Sequence, residues 1–232
     1  MTIVQDRRCF IGITAGLVLA ADTTGALAQA APPKVEYAIK KLPLDPAKIK
    51  GLSEKLLVSH WENNYSGAVK RLNAITVQLA GLDMATAPVF VINGLKREEL
   101  IAANSMIIHE LYFDGLGGEG DPKGVLADAM TRDFGSIARW KAEFTAMGKA
   151  LGGGSGWVLL ASSPRDKRLI NTWAADHTMT LAGGRPILAL DMFEHAYAMD
   201  YGARAAGCAD AFMQVIRWDN AAALYEKYAR EA

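Results

Sequence analysis

Cysteine is nearly absent from this chain: the 232 residues hold two, Cys9 and Cys208. That is too few for a disulfide framework, and there are none of the closely spaced cysteines that structural zinc sites use. A surplus of charge is missing too, since 25 Lys and Arg face 25 Asp and Glu and the formal net charge is zero. Basic residues scattered among acids do not make the clustered positive face that phosphate backbones require, so no nucleic-acid partner is expected. The mostly apolar stretch from Phe10 to Ala21 falls short of the about 20 residues that cross a bilayer. Internal repeats are lacking, and histidine is scarce, with only His60, His109, His177 and His195. Hydrophobic residues, at 51%, are by contrast ample for a buried core, and the chain reads as globular.

The N-terminus has the three parts of an export signal. Asp6-Arg7-Arg8-Cys9-Phe10 opens a short apolar region, and Ala28-Gln29-Ala30 closes it, which predicts a signal peptide over residues 1–30 with cleavage before Ala31. Adjacent arginines followed by an aromatic are twin-arginine-like, a route that carries folded proteins, so a periplasmic or secreted protein is expected, without stable membrane insertion after signal removal. Cleavage would remove Arg7 and Arg8 together with Asp6 and Asp22, keeping the charge balanced, and would leave Cys208 as a lone core thiol. Ala28 to Pro33 reads as a flexible lead-in.

Beyond it, apolar residues return at helical spacing from Ser53 to about Leu79, through Val69, Leu72 and Ile75. A second helix is predicted from about Lys96 to Phe113, stopped by Gly115, Gly117 and Gly118, with Pro88 and Asn93-Gly94 in the link. Such a hairpin brings His60 and His109 toward one another. Asp121-Pro122 begins another helix, and Ser136 caps the next, whose stripe is Ile137, Trp140, Phe144 and Met147. After Gly152 to Gly156 the grain changes to short apolar runs, Trp157–Ala161, Leu169–Trp173 and Ile187–Leu190, which read as strands, the first two joined as a hairpin. The remainder is helical. The order gives an α+β fold: an N-terminal helical hairpin domain over residues 31–120, then a mixed domain over residues 121–232 with a small three-stranded antiparallel sheet and flanking helices.

One stretch stands out, Asp191-Met-Phe-Glu194-His195-Ala196-Tyr197. It resembles the Asp-x-Trp-Glu-His-Ala-Tyr signature of iron/manganese superoxide dismutases, and the likeness extends from about Tyr37 to the end. Leu52-Ser53 ahead of the helix with His60, Asn104 ahead of His109, and Gly154-Ser155-Gly156-Trp157 occur in that family's order and at about its spacings. The resemblance implies that His60, His109, Asp191 and His195 ligate one iron or manganese ion per subunit, with a solvent molecule as fifth ligand and with the metal seated between the two domains. Three imidazoles and a carboxylate are a donor set of intermediate softness, suited to iron, manganese or zinc. It also implies that His177 hydrogen-bonds the coordinated solvent, Ser105 occupying the family's other location for that group. Glu194 is expected to reach the ligand histidine of a second subunit in a homodimer, and superoxide is the expected substrate.

The chain also departs from the family. A Tyr commonly stands eight residues after the first ligand, a His four residues after it, and a Tyr directly after His-Ala-Tyr; here those positions hold Ala68, Asn64 and Ala198. Leu159, Phe113 and Phe193 stand where tryptophans are usual, which predicts a wider and less aromatic cavity, and Tyr65 is available as a substitute hydroxyl or as packing. Two functions of different class follow: a dismutase with a remodelled entrance, or a metal-binding protein of dismutase fold with little or no dismutase activity.

Overall fold

Ser53 starts the first helix by capping it: its hydroxyl accepts the Leu56 N–H at 3.1 Å. The computed structural model describes residues 35–230, so the expected export signal lies outside the described residues. Helix α1 (Glu54–Ser59) passes into a π-helical turn (His60–Tyr65) and on into α2 (Ser66–Ala80). In the π turn the backbone reaches back five residues, as from Ser66 N–H to Trp61 O. His60 and Tyr65, five apart, therefore both turn inward and are 1% and 2% exposed.

Helix α3 (Val89–Asp114) lies beside α2. Arg71 pairs with Glu98, and His60 meets His109, the register of an antiparallel hairpin. α3 starts at Val89 rather than Lys96, and Asn93-Gly94, expected in the link, is absorbed into the helix. Pro88, with φ −58°, stands just before the first helical residue, and a helical glycine costs only about 1 kcal/mol against alanine, which packing on α2 can offset. The link is built instead around Asp83, whose carboxylate accepts Ala85 N–H at 3.0 Å and Thr86 Oγ1–H at 2.7 Å.

The boundary expected at residues 120 and 121 falls in the connection between α3 and α4 (Gly124–Phe134). α4 begins after Asp121-Pro122 rather than at it, because Lys123 is still extended, with φ −130° and ψ 167°. Ser136 caps α5 (Ile137–Ala150) as expected, its hydroxyl accepting Arg139 N–H. Strands β1 (Trp157–Ser163), β2 (Arg168–Ala174) and β3 (Arg185–Asp191) form an antiparallel sheet in the order β2-β1-β3. Helices α6 (Ala198–Tyr201), α7 (Ala205–Phe212) and α8 (Trp218–Arg230) complete the chain. The central strand is almost wholly buried, with α5 packed against β1 and α3 and α8 against β3. Trp140, Phe144, Trp157 and Phe212 fill the core between sheet and helices.

Sheet register decides what lies near the site. Trp157 is opposite both Ala174 and Asp191, so the start of β1 and the ends of β2 and β3 share one sheet edge. Gly156, just before β1, has φ +146°, and a Cβ there would lie 2.1 Å from Ala174 O. Its own carbonyl accepts Met192 N–H at 2.9 Å. Gly156→Ala is expected to destabilise the metal-free protein by about 3 kcal/mol through combined strain and overpacking; an unchanged urea midpoint would show that this edge yields without cost.

Candidate metal centre

Four side chains from separate parts of the chain converge at that sheet edge. His60 comes from the junction of α1 with the π turn, and His109 from the last turns of α3. Asp191 ends β3, and His195 follows it in a short 3-10 turn, Glu194–Ala196. One potential ligand atom of each lies within 4.8 Å of the others. Asp191 Oδ2 is the hub, 3.2 Å from His60 Nε2, 3.5 Å from His109 Nε2 and 3.2 Å from His195 Nε2. Its other oxygen, Oδ1, accepts Phe193 N–H at 2.8 Å, which fixes the carboxylate.

The His109 proton is placed to leave a lone pair inward. His109 Nδ1–H donates to the Ser105 carbonyl at 2.6 Å, so a neutral ring presents Nε2 as an acceptor. His109 Nε2 and both ring nitrogens of His60 are buried with no hydrogen-bond partner among the described residues. Buried polar atoms are nearly always satisfied, and the two unpartnered Nε2 atoms that face Asp191, one on each ring, are the ones a shared cation would satisfy.

Charge makes the same demand. Burial holds the His60 imidazole below its ordinary basicity, with Asp191 offsetting this only in part. Burial, helped by the neighbouring His60, takes His109 down to about 3. Burial alone would push the Asp191 carboxyl up, but its hydrogen bonds and proximity to His195 and His60 hold it well below the usual carboxylate range. At neutral pH the buried Asp191 anion thus lies beside two buried, neutral imidazoles, His60 and His109. Three nitrogens and one oxygen around that charge fit a hard-to-borderline cation such as iron, manganese or zinc.

His177 approaches from the loop after β2. Trp157 Nε1–H donates to His177 Nδ1 at 2.9 Å, and an indole can only donate, so in the neutral ring the proton is on Nε2. Asn104 Nδ2 holds the His177 carbonyl at 2.5 Å, and the ring stacks on Phe193 with centroids 4.8 Å apart. Phe193 in turn stacks on His195. Trp157 as the donor that orients His177 was not foreseen; its place directly after Gly154-Ser155-Gly156 was the available signal.

A cavity of about 330 Å³ leads from solvent to His109, His177 and His195, and Asn63, Asn64, Gly67, Ala68 and Arg71 line it on the α2 side. No Phe, Tyr or Trp is among its lining residues, in keeping with the small residues at 64 and 68. Tyr65 does not supply a replacement hydroxyl. Its OH donates to Glu110 Oε1 at 3.0 Å and accepts Lys40 N–H at 2.9 Å, facing a different pocket. Ala198 is exposed at the start of α6, and Phe113 and Leu159 are buried. Arg71 was also missed, although His60, Asn64, Ala68 and Arg71 recur at helical spacing. Cys208 is buried, and burial pushes its thiol up to about 12, as befits a packing residue.

Glu194 is exposed, and the neighbouring His195 side chain is 24% exposed while that of Asp191 is fully covered.

Residues 122–224 match the family described as iron/manganese superoxide dismutases, C-terminal domain. A curated protein named superoxide dismutase [Fe], from Cupriavidus metallidurans, is 68% identical over 195 residues, 84% of this chain and 99% of that protein. Superoxide dismutase [Mn] 1 of Haloferax volcanii is 34% identical over 83% of this chain and 96% of its own length. Superoxide dismutase [Fe] of Aquifex pyrophilus is 31% identical over 79% of this chain and 89% of its own.

Because His109 binds a proton less readily folded than unfolded, acid favours the unfolded state. The sign is that of a depressed base: stability is full above about 6.5 and falls as pH drops toward about 3, by about 1.4 kcal/mol per pH unit for such a group. The metal-free protein should therefore lose stability steadily from pH 6.5 to pH 4 in denaturant titrations, and His109→Gln should reduce that slope; a flat profile would mean that His109 is charged in the fold.

Proposed function

The chain belongs to the iron/manganese superoxide dismutase family, and on that premise we propose that it removes superoxide as an exported, iron-loaded homodimer. Dismutation by an iron or manganese centre is the activity of the family. Iron is supported by the name of the relative at 68% identity, whereas manganese appears in names of relatives near 34%. The observation that carries the reading is the cluster itself: three imidazole Nε2 atoms around Asp191 Oδ2, within 4.8 Å of one another, beside a solvent-open cavity.

His60, His109, His195 and Asp191 would hold the metal. When bound, it supplies one-electron chemistry, accepting an electron from one superoxide and returning one to the next, so that two superoxides and two protons become dioxygen and hydrogen peroxide. The protein's part is to bind, orient and protonate. Asp191 contributes the negative charge that favours the oxidised metal, and Phe193 N–H and the Ser105 carbonyl set ligand orientation. His177, with its proton directed to Nε2 by Trp157, can donate to a small oxygen species in the cavity and tune the balance of oxidation states. Water in the cavity is the further proton source, since Asn64 and Ala68 leave room for it.

Glu194 is assigned to His195 of the partner subunit, which would fix that imidazole from outside its own chain. The exposure of Glu194 and the partial exposure of His195 support this. Export is supported by Arg7-Arg8 and Ala28-Gln29-Ala30, and a division near residue 120 by the family match that begins at residue 122.

Protein taken from the periplasmic fraction is expected to begin at Ala31, to carry about one iron per chain and to accelerate superoxide decay; inactivity of both iron-loaded and manganese-loaded protein would overturn the dismutase reading. His177→Ala should keep its metal yet lose about 10- to 100-fold in activity and shift the metal's redox potential, whereas His109→Ala should lose the metal. Equal metal loss from both would reassign His177. Glu194→Ala should move the protein from dimer to monomer on sedimentation and loosen metal retention, and a dimer with unaltered metal release would remove Glu194 from the interface.

A further inference from the structure

The cavity above the cluster has an unusual charge distribution. Asn63, Asn64, Gly67, Ala68, Ile101, Ala102 and Ser105 are neutral, so among the described lining residues Arg71 is the one permanently charged side chain. It follows His60, Asn64 and Ala68 on one face of the same continuous helix, so Arg71 stands at the outer end of a row whose inner end is a cluster residue. Gly67 and Ala68 put no bulk between them.

Arg71 does not stand free. It pairs with Glu98 of α3, and Arg97 Nη1 lies 4.0 Å from the other oxygen of the same carboxylate. Two guanidinium groups thus share one carboxylate, and Glu98 is not among the cavity's lining residues whereas Arg71 is. Asp176, the next acid on this side, is turned onto Thr178, whose N–H and Oγ1–H it accepts at 2.7 and 2.5 Å. The cationic partner, 54% exposed, thus belongs to the cavity lining, and the carboxylate does not.

We propose that Arg71 is the residue that draws the superoxide anion into this cavity, its charge held in place by Glu98 and unobstructed because positions 64 and 68 carry Asn and Ala. This rests on the dismutase reading. The chain as a whole is uncharged, so attraction over long range is weak and a local cation at the mouth governs approach. The substrate is an anion and both products are neutral, so a fixed cation speeds arrival without retaining product. Arg71 does not touch the metal ligands; it acts on encounter.

The test uses the iron-loaded protein with Arg71→Gln, Arg71→Lys and Glu98→Gln. Both glutamine variants break the ion pair, but they change the charge at the mouth in opposite directions. Arg71→Gln should lower kcat/KM by about three- to tenfold and abolish the decline of rate with added salt, and Arg71→Lys should restore most of both. Glu98→Gln should raise kcat/KM and steepen the salt dependence. Azide, a small anion, titrated by visible absorbance against the ferric protein, should bind more weakly to Arg71→Gln and more tightly to Glu98→Gln. Parallel losses in both variants that track a lowered Tm would reduce the pair to a structural brace and overturn the proposal, as would wild-type salt dependence and azide affinity in Arg71→Gln. If the wild-type protein fails to consume superoxide, the azide titration still decides whether Arg71 guides anions, so the two readings fail separately.

Discussion

A carboxylate with no solvent contact, Asp191, faces three imidazole nitrogens and no fixed cation. Taking such an ion out of water costs several kcal/mol even after relaxation, and one backbone N–H on Oδ1 does not offset that. The Nε2 atoms of His60 and His195, each 3.2 Å from Oδ2, offset it further only where they carry a proton. A cation shared by the four side chains would supply the balancing charge directly. The surrounding structure holds the four side chains of the cluster from outside. Ser53 is a junction in this respect: it caps α1, and its N–H and Oγ–H each bind a different oxygen of Asp200 at 2.6 Å. The helix leading to His60 is thereby tied to the segment that follows His195. The Ser105 carbonyl holds His109, and the Phe193 N–H and the Gly156 edge hold Asp191.

Local physics made much of the fold legible from sequence. Ser53 and Ser136 are caps because their hydroxyls reach the first turn, and the three strands are apolar runs between turn formers, all readable within a short window. Asn93-Gly94 misled because a dipeptide's preference for turns is worth only about 1 kcal/mol in a long helix, and contact with α2 outweighs it. The π turn had no signal in periodicity, since it breaks the 3.6-residue repeat that reveals helices; its effect was to turn Tyr65 inward toward Glu110 and away from the cavity. The four ligands were assembled by likeness to a family rather than by spacing, because Asp191 and His60 are neighbours only in space. Trp157 binding His177 across 20 residues of chain is of the same kind: register decides it, and register is set by the whole sheet.

The departures from the family resemblance at the entrance are mutually consistent. A hydrogen-bonded doorway reduced by one member would leave a buried polar group unpaired, whereas Asn64, Ala68 and Ala198 replace the three together. What remains is a cavity of about 330 Å³ lined by small and neutral groups apart from Arg71 and the histidines. An opening of that size admits water, which changes where protons come from. A relay of side chains is needed when solvent is excluded; a cavity open to solvent at His177 does not require one.

Selection for charge then passes from the doorway to its rim. A narrow entrance discriminates by size and by hydrogen bonds made at contact, but a wide one exerts little steric choice between the anion and water. Discrimination must act before contact, and only a fixed charge does so over several ångströms. Arg71 meets that requirement because Glu98 restrains it from behind while Arg97 shares the carboxylate, which prevents full neutralisation. The same geometry explains why a permanent cation is tolerable beside a metal that must itself gain and lose an electron. Arg71 lies at the far end of the row of side chains from His60, where solvent screens its effect on the metal more than its effect on an arriving anion.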